Sequence, residues 1–306
     1  MILRTETLDR CPLCGGADLA ALLTAPDFES GSGDYSIVEC RDCSLAFTNP
    51  RPREDELPKL YELRSSADFL PLQRGLAQRL RDFALDRYLG PRLAASARSA
   101  SGSDLSILDF GCGDGALVRA AVRWGKRRAI PIQVTAVDFH DTAPSALIAA
   151  GPNVRYASRS EWAKNPQLYD AIFLRHVLEH HPQPLRLLGE LAAILRPGGQ
   201  LFIELPNRCS IWARIFRRAY FGYYLPRHLL HFDEASLFEG IERAGLRCLE
   251  VTRAHTPLLG RSLGYLTGRD IGNTGLIGLA SYPLQVTADT LARSCTTLRA
   301  TAVRCA

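Results

Sequence analysis

The chain has 306 residues, 46% hydrophobic and 23% charged, with a formal charge of +5 and a pI near 8.8. That composition belongs to a globular chain with a sizeable core, and no apolar run approaches the ~20 residues of a membrane span. Lysine occurs only at Lys59, Lys126 and Lys164, so the mild excess of positive charge is an excess of arginine and says little about partners.

In chain order, Met1–Glu6 lacks the basic start and apolar core of a secretory signal, which points to the cytoplasm. Of the nine cysteines, four are arranged as two knuckles, Cys11-Pro-Leu-Cys14 and Cys40-Arg-Asp-Cys43. Thiols in a reducing compartment stay unpaired, so this spacing points to metal rather than disulfide. Four thiolates around one ion make a closed structural zinc site with no open position for chemistry. Short strand-like runs at Tyr35–Cys40 and Leu45–Phe47 flank the second knuckle, and Thr48–Arg53 ends the module.

Residues 54–93 have an amphipathic helical pattern, with Leu76, Leu80, Phe83 and Leu85 set against Arg74, Arg79, Arg81 and Arg87. The small, polar stretch Ala94–Ser103 is expected as a surface connection. Next, Leu105–Phe110 is an apolar run that breaks into Gly111, Gly113 and Gly115, followed by helical periodicity from Ala116. A buried strand, a glycine turn and a helix start are expected there. Glycine allows a sharp turn and a close approach to a ligand. A pyrophosphate disfavours nearby anions, yet Asp109 and Asp114 bracket this turn, which suits a cationic ligand such as S-adenosylmethionine (SAM). Val134–Asp138 is a second strand ending in an acid, placed to grip a ribose hydroxyl.

The run LDFGCGDG (108–115), then AVDF (136–139), YDAIFLRHVLEH (169–180) and LRPGGQLFIELPN (195–207) resembles the class I SAM-dependent methyltransferases over roughly 104–253. The resemblance implies an α/β fold with a Rossmann-like doubly wound sheet of seven strands, the last antiparallel. It implies SAM contacts from Asp109, Gly111, Cys112, Gly113, Asp138, Phe139, Arg175 and His176, with Cys112 as a spacer and Phe139 lying on the adenine. Residues 11–52 resemble a zinc-binding segment found in a subset of the family, which includes sugar C-methyltransferases. The chain is thus expected as a zinc-binding module (1–52), a helical lid and linker (53–103) and a catalytic domain (104–306). Many family members carry an acid after the third strand to hold the adenine. Here Ser158-Arg-Ser160-Glu161 stands instead, with Ser160 or Glu161 as the substitute.

Arg123–Arg128 is a basic cluster, expected as a solvated turn rather than a nucleic-acid patch. The third strand is expected at 153–157, the fourth at Tyr169–Leu174, a helix at Leu185–Leu195 and the fifth strand at Gln200–Glu204. Phe221–Phe232 is an aromatic stretch outside the strand–helix rhythm, similar to the family's R-H-x-x-H-F element over the active site. Asp233 caps a helix over 234–244, and Leu246–Arg253 and Leu298–Arg304 are the last strands. Between them, the glycine-rich insertion 254–295 suits a substrate cap, a dimer interface or a peripheral membrane contact.

Methyl transfer to oxygen or carbon needs a base that titrates near neutrality, which points to histidine. The candidates are His176, His180, His181, His228 and His231. The catalytic assignment falls on His228 and His231, then His176, with Arg227 beside them for an anionic substrate group. Arg175-His-Val-Leu stands where amino-methylating enzymes carry Asn-Pro-Pro-Tyr, which weighs against exocyclic amino groups of bases. The expected acceptor is a small molecule, namely a sugar nucleotide, glycan or secondary metabolite. The alternatives are a zinc-knuckle ribosomal RNA methyltransferase and a non-catalytic SAM and zinc binder.

Overall fold

The computed structural model describes residues 3–62, 76–100, 102–144, 147, 150–269 and 276–305. Arg74 of the expected amphipathic helix lies outside the described residues, as do the side chains of Leu76, Leu80, Leu276, Ile277 and Leu279.

The N-terminal part is built from β1 (Thr5–Glu6), β2 (Leu19–Pro26), β3 (Asp34–Cys40), β4 (Ala46–Thr48) and β5 (Arg51–Pro52). The larger part contributes β6 (Leu105–Phe110), β7 (Ile132–Asp138), β8 (Val154–Ser158), β9 (Tyr169–Arg175), β10 (Leu195–Pro206), β11 (Leu230–His231), β12 (Arg247–Ala254) and β13 (Thr297–Val303). Seven of these form one sheet in the order β12-β13-β10-β9-β6-β7-β8. β13 runs antiparallel to both neighbours, while β6 to β10 run parallel. The expected doubly wound sheet with an antiparallel last strand is therefore present. β6, an inner strand of this sheet, is buried along nearly its whole length, as a strand covered by helices on both faces must be. The strand order reverses beside β6, and ligands of such sheets sit outside the strand ends at that point.

Two expectations need correction, and the insertion after β12 gains a structure. The helix Leu76–Ser99 runs through most of the expected 94–103 connection. Alanines favour helix there, and Leu93 and Ser96 are fully buried, Ser96 donating to Gln200. The helix after β9 spans Pro184–Ala193, and Leu195 opens β10 instead of closing that helix. The insertion after β12 forms two helices, Leu259–Thr267 and Leu276–Leu291.

A smaller sheet has the order β11-β4-β3-β2. Its outer strand β11 comes from the aromatic stretch and pairs antiparallel with β4, Leu230 opposite Phe47 and His231 opposite Ala46. Arg208, nearly buried, donates to Glu39, the Ser44 carbonyl and Asp233, bridging the two parts of the chain. Cys11, Leu13 and Cys40 share one apolar cluster with Leu188, Leu237 and Ile241. Phe47, Leu229 and Phe232 are almost wholly buried at this joint. Each contributes on the order of 1.5–3 kcal/mol by burial, so the joint is packed like a core.

Candidate functional site

β6 ends at Phe110, and the chain turns through Gly111 (φ +81°) and Gly113 (φ +51°), a backbone region that favours glycine. A Cβ on Gly111 would meet Val177 Cγ2 at 2.2 Å, so only glycine lets the turn lie under the end of β9. The Gly111 and Cys112 amides donate to the Val137 carbonyl at 2.7 and 3.0 Å. Asp138, at the end of β7, accepts from Gly113 N and Phe139 N, both at 2.8 Å. The acid thus fixes the glycine turn through its own carboxylate. Cys112 is buried and its thiol is pushed up by that burial, which suits a spacer and not a nucleophile.

Above the turn is a cleft of about 550 Å³, whose lining includes Gly111, Gly113, Asp138, Phe139, Arg159, His176 and His180. Glu54, Leu57 and Pro58 close it from the N-terminal side. The helix Leu76–Ser99 reaches the glycine turn through Arg81, which pairs with Asp114 at 2.9 Å.

Beneath the cleft, three carboxyl groups are almost fully buried. Asp109 has Oδ2 without a hydrogen-bond partner among the described residues, and burial pushes its carboxyl up to about 7. A cationic ligand above it would restore the charged form, so the donor set fits SAM's ammonium and sulfonium groups. Glu204 accepts from Arg175 at 2.7 Å and from Arg299 at 2.5 Å. Burial opposes its charge, yet Arg175, His176 and Arg299 hold its carboxyl well below the usual range. Glu179 accepts from or faces His176 Nδ1 at 3.3 Å, and His176 Nε2 lies 3.5 Å from Glu204. Burial disfavours an imidazolium at His176, but these two carboxylates outweigh it and raise it to about 9. His176 is therefore a cation near neutral pH, held at φ +53° with its amide bonded to the Glu204 carbonyl.

The other histidines divide by position. His180 lines the cleft, and its Nδ1 lies 2.9 Å from the Arg227 carbonyl. Since a carbonyl only accepts, His180 Nδ1 carries a proton. His181 lines the same cleft. His228 sits behind His180, ring centroids 4.6 Å apart, with Nδ1 bonded to the Gly222 carbonyl. Burial, then His180, holds it well below its ordinary value. His231 turns into the smaller sheet, where Nε2 meets Thr48 Oγ1 at 3.2 Å, and burial lowers it to about 3. Neither His228 nor His231 is in the cleft lining. Arg227 is buried beside Asp27 and donates to the Leu60 carbonyl.

The structure also singles out residues that the sequence reading passed over. Thr48 Oγ1 donates to the His228 carbonyl at 2.8 Å, and the Leu229 amide donates to the Glu179 carbonyl at 2.8 Å. Glu161, weighed as an adenine ligand, is consumed with Ser158 in a capping box. Arg159 faces the cleft instead, over the rings of Phe110 and Trp162 and paired with Glu190. An N-cap serine followed three residues on by glutamate was the available signal. The basic cluster is partly neutralised, with Arg123 and Arg127 both bonded to Asp86.

The four knuckle cysteines converge, their sulfurs all within 4.8 Å of one another and two pairs at 3.5 Å. Zinc–sulfur bonds of about 2.3 Å in a tetrahedron set sulfurs about 3.8 Å apart. The amides of Leu13 and Gly16 point at Cys11 Sγ and Cys14 Sγ, as suits thiolate charge.

Residues 73–251 match a family model described as a methyltransferase domain, which is more than half of the chain. The chain belongs to this family, the class I SAM-dependent methyltransferases. Among curated relatives is the ubiquinone biosynthesis O-methyltransferase of Xanthomonas euvesicatoria pv. vesicatoria (strain 85-10). It is 29% identical over 162 residues, covering 48% of this chain and 64% of that protein. The protein of the same name from Coxiella burnetii (strain Dugway 5J108-111) is 31% identical over 161 residues, covering 49% and 66%. The match thus spans just under two thirds of these relatives. The crystal structure of the [4+2]-cyclase SpnF aligns with a TM-score of 0.51 at 17% identity, over 83% of this chain and 97% of that one. That likeness concerns the fold alone.

The geometry of Asp138 yields an expectation. Asp138→Ala frees the Gly113 amide and should weaken SAM binding by roughly 10–100-fold in calorimetry, the size of a lost charged hydrogen bond. Unchanged affinity would mean that the acid only decorates the turn.

Proposed function

We propose that this member of the SAM-dependent methyltransferase family methylates a hydroxyl oxygen on an apolar, ring-bearing small molecule. The observation that carries this reading is that one cleft has both the glycine turn with Asp138 and the imidazole of His180 in its lining. Leu57, Pro58, Val177 and Pro182 also line it. Such a wall suits an apolar ring better than a sugar, whose many hydroxyls would each need a partner. The name O-methyltransferase carried by the relatives supports oxygen as the acceptor atom.

Gly111, Gly113, Asp138 and Phe139 would hold SAM, which would supply an electrophilic methyl group on a sulfonium, the thioether being the leaving group when the acceptor oxygen takes the methyl. His180 Nε2 takes the acceptor's proton, with the Arg227 carbonyl fixing its tautomer and His228 its ring. This departs from the assignment to His228 and His231, because neither lines the cleft. His176, protonated between Glu179 and Glu204, is an anchor for the strand end and not a base. Asp109 offers its carboxylate to the cofactor's cationic end.

Incubation with methyl-labelled SAM and a low-mass cell extract should place the label in a methyl ether. His180→Ala should lose about 10²–10⁴-fold in turnover with SAM affinity unchanged. Label in RNA, or full turnover in the folded variant, contradicts the reading.

The N-terminal cysteines are proposed to hold one structural zinc. Elemental analysis should find one zinc per chain, and Cys40→Ser should lose it and lower the unfolding temperature. A metal-free chain that unfolds at the same temperature after chelation contradicts this.

A further inference from the structure

The helix Leu276–Leu291 has a single charged residue, Asp289. That carboxylate is fully buried, accepting from Trp212 Nε1 at 2.9 Å and facing His255 Nδ1 at 3.0 Å. The outward residues are Ala280, Pro283, Leu284, Thr287, Thr290 and Leu291. Leu284 is 66% exposed and Leu291 82%, seven residues apart and so on one face. Other surface helices behave differently. Pro184–Ala193 and Glu234–Arg243 carry Arg186–Glu190 and Glu239–Arg243 ion pairs on their outer faces.

The neighbouring elements carry further exposed apolar residues and arginines, with Glu29 paired to Arg261 and with Asp233 and Glu234 lining a cleft beside Arg214 and Arg293. Ile215, on the short helix fixed to Leu276–Leu291 through Trp212, is 57% exposed. Leu266, on the packed helix Leu259–Thr267, is 64% exposed. Arg214, Arg217, Arg218, Arg269 and Arg293 are exposed around them. Residues 205–232 contain five arginines and no Asp or Glu. Among the described residues, no carboxylate pairs with Arg214, Arg217 or Arg218.

We infer that this face docks onto a lipid bilayer surface bearing anionic headgroups. Exposed leucines and an isoleucine enter the boundary between headgroups and acyl chains, while the arginines meet phosphates. Charge disfavours a second copy of the chain as the occupant. A two-fold interface centred on this face would bring Arg217 and Arg218, which pair with no carboxylate among the described residues, toward their own copies. The placement also fits an apolar acceptor, but the docking does not depend on that reading and is tested without turnover.

The full chain is sedimented with vesicles of phosphatidylcholine alone and of phosphatidylcholine mixed with phosphatidylglycerol. Binding is expected to the mixed vesicles and to fall as salt rises. Arg217→Ala with Arg218→Ala should weaken it by roughly 30-fold, the effect of two bilayer charge contacts at about 1 kcal/mol each. Leu284→Asp with Leu291→Asp should abolish it. Both positions are exposed, so unchanged thermal unfolding shows that the variant remains folded. Absence of binding, equal binding to both vesicle types, or leucine variants that still bind would overturn the proposal. So would a dimer in sedimentation velocity that Leu291→Asp dissociates.

Discussion

The hydroxyl of Thr48 holds the two halves of the site together. It donates to the His228 carbonyl, while the Thr48 amide donates to the Leu229 carbonyl. Leu229 in turn donates to Glu179, and His180 is tied to the Arg227 carbonyl. A continuous set of short hydrogen bonds therefore runs from β4, beside the second cysteine knuckle, to the histidine in the cleft wall. The segment 227–231 has little regular structure of its own, since β11 is two residues long. A two-residue strand does not persist alone, so its position is set by the sheet it joins. That makes the N-terminal module part of the cleft's architecture and not an appendage.

Electrostatics divide the cleft floor into two regions. Glu204 and Glu179 are committed to Arg175, Arg299 and His176, and so keep a cationic imidazole fixed at the end of β9. Asp109, four residues before Gly113, has one oxygen without a partner among the described residues, and burial pushes its carboxyl up to about 7. A buried carboxyl in that state gains most when a cation arrives, because the desolvation it already bears is then repaid by a charge close by. The floor is thus prepared for a positive ligand on the β6 side and satisfied on the β10 side.

The sheet was legible because its strands are apolar runs ended by glycine or acid, and the order of motifs fixed the topology. Gly111, Gly113 and Asp138 were legible for the same reason: each answers a local backbone demand. The joint was not. Nothing in Ala46–Thr48 or Leu230–His231 announces that they pair, since pairing across such a distance in sequence is decided by packing. For that reason His231 looked like a second active-site histidine when its partner is Thr48. The alanine-rich stretch after Leu93 was misjudged because small residues suit both linkers and helices, and only the burial of Ser96 distinguishes them.

The central claim is that the cysteine-clamped sheet positions the histidine wall of the cleft. Hydrogen exchange on the metal-loaded protein, before and after chelation, tests it most directly. The account predicts that metal removal deprotects the amides of Thr48, Leu229 and His231 together, while the β6 and β7 amides keep their protection. Knuckle amides that open while Leu229 stays fully protected would contradict it.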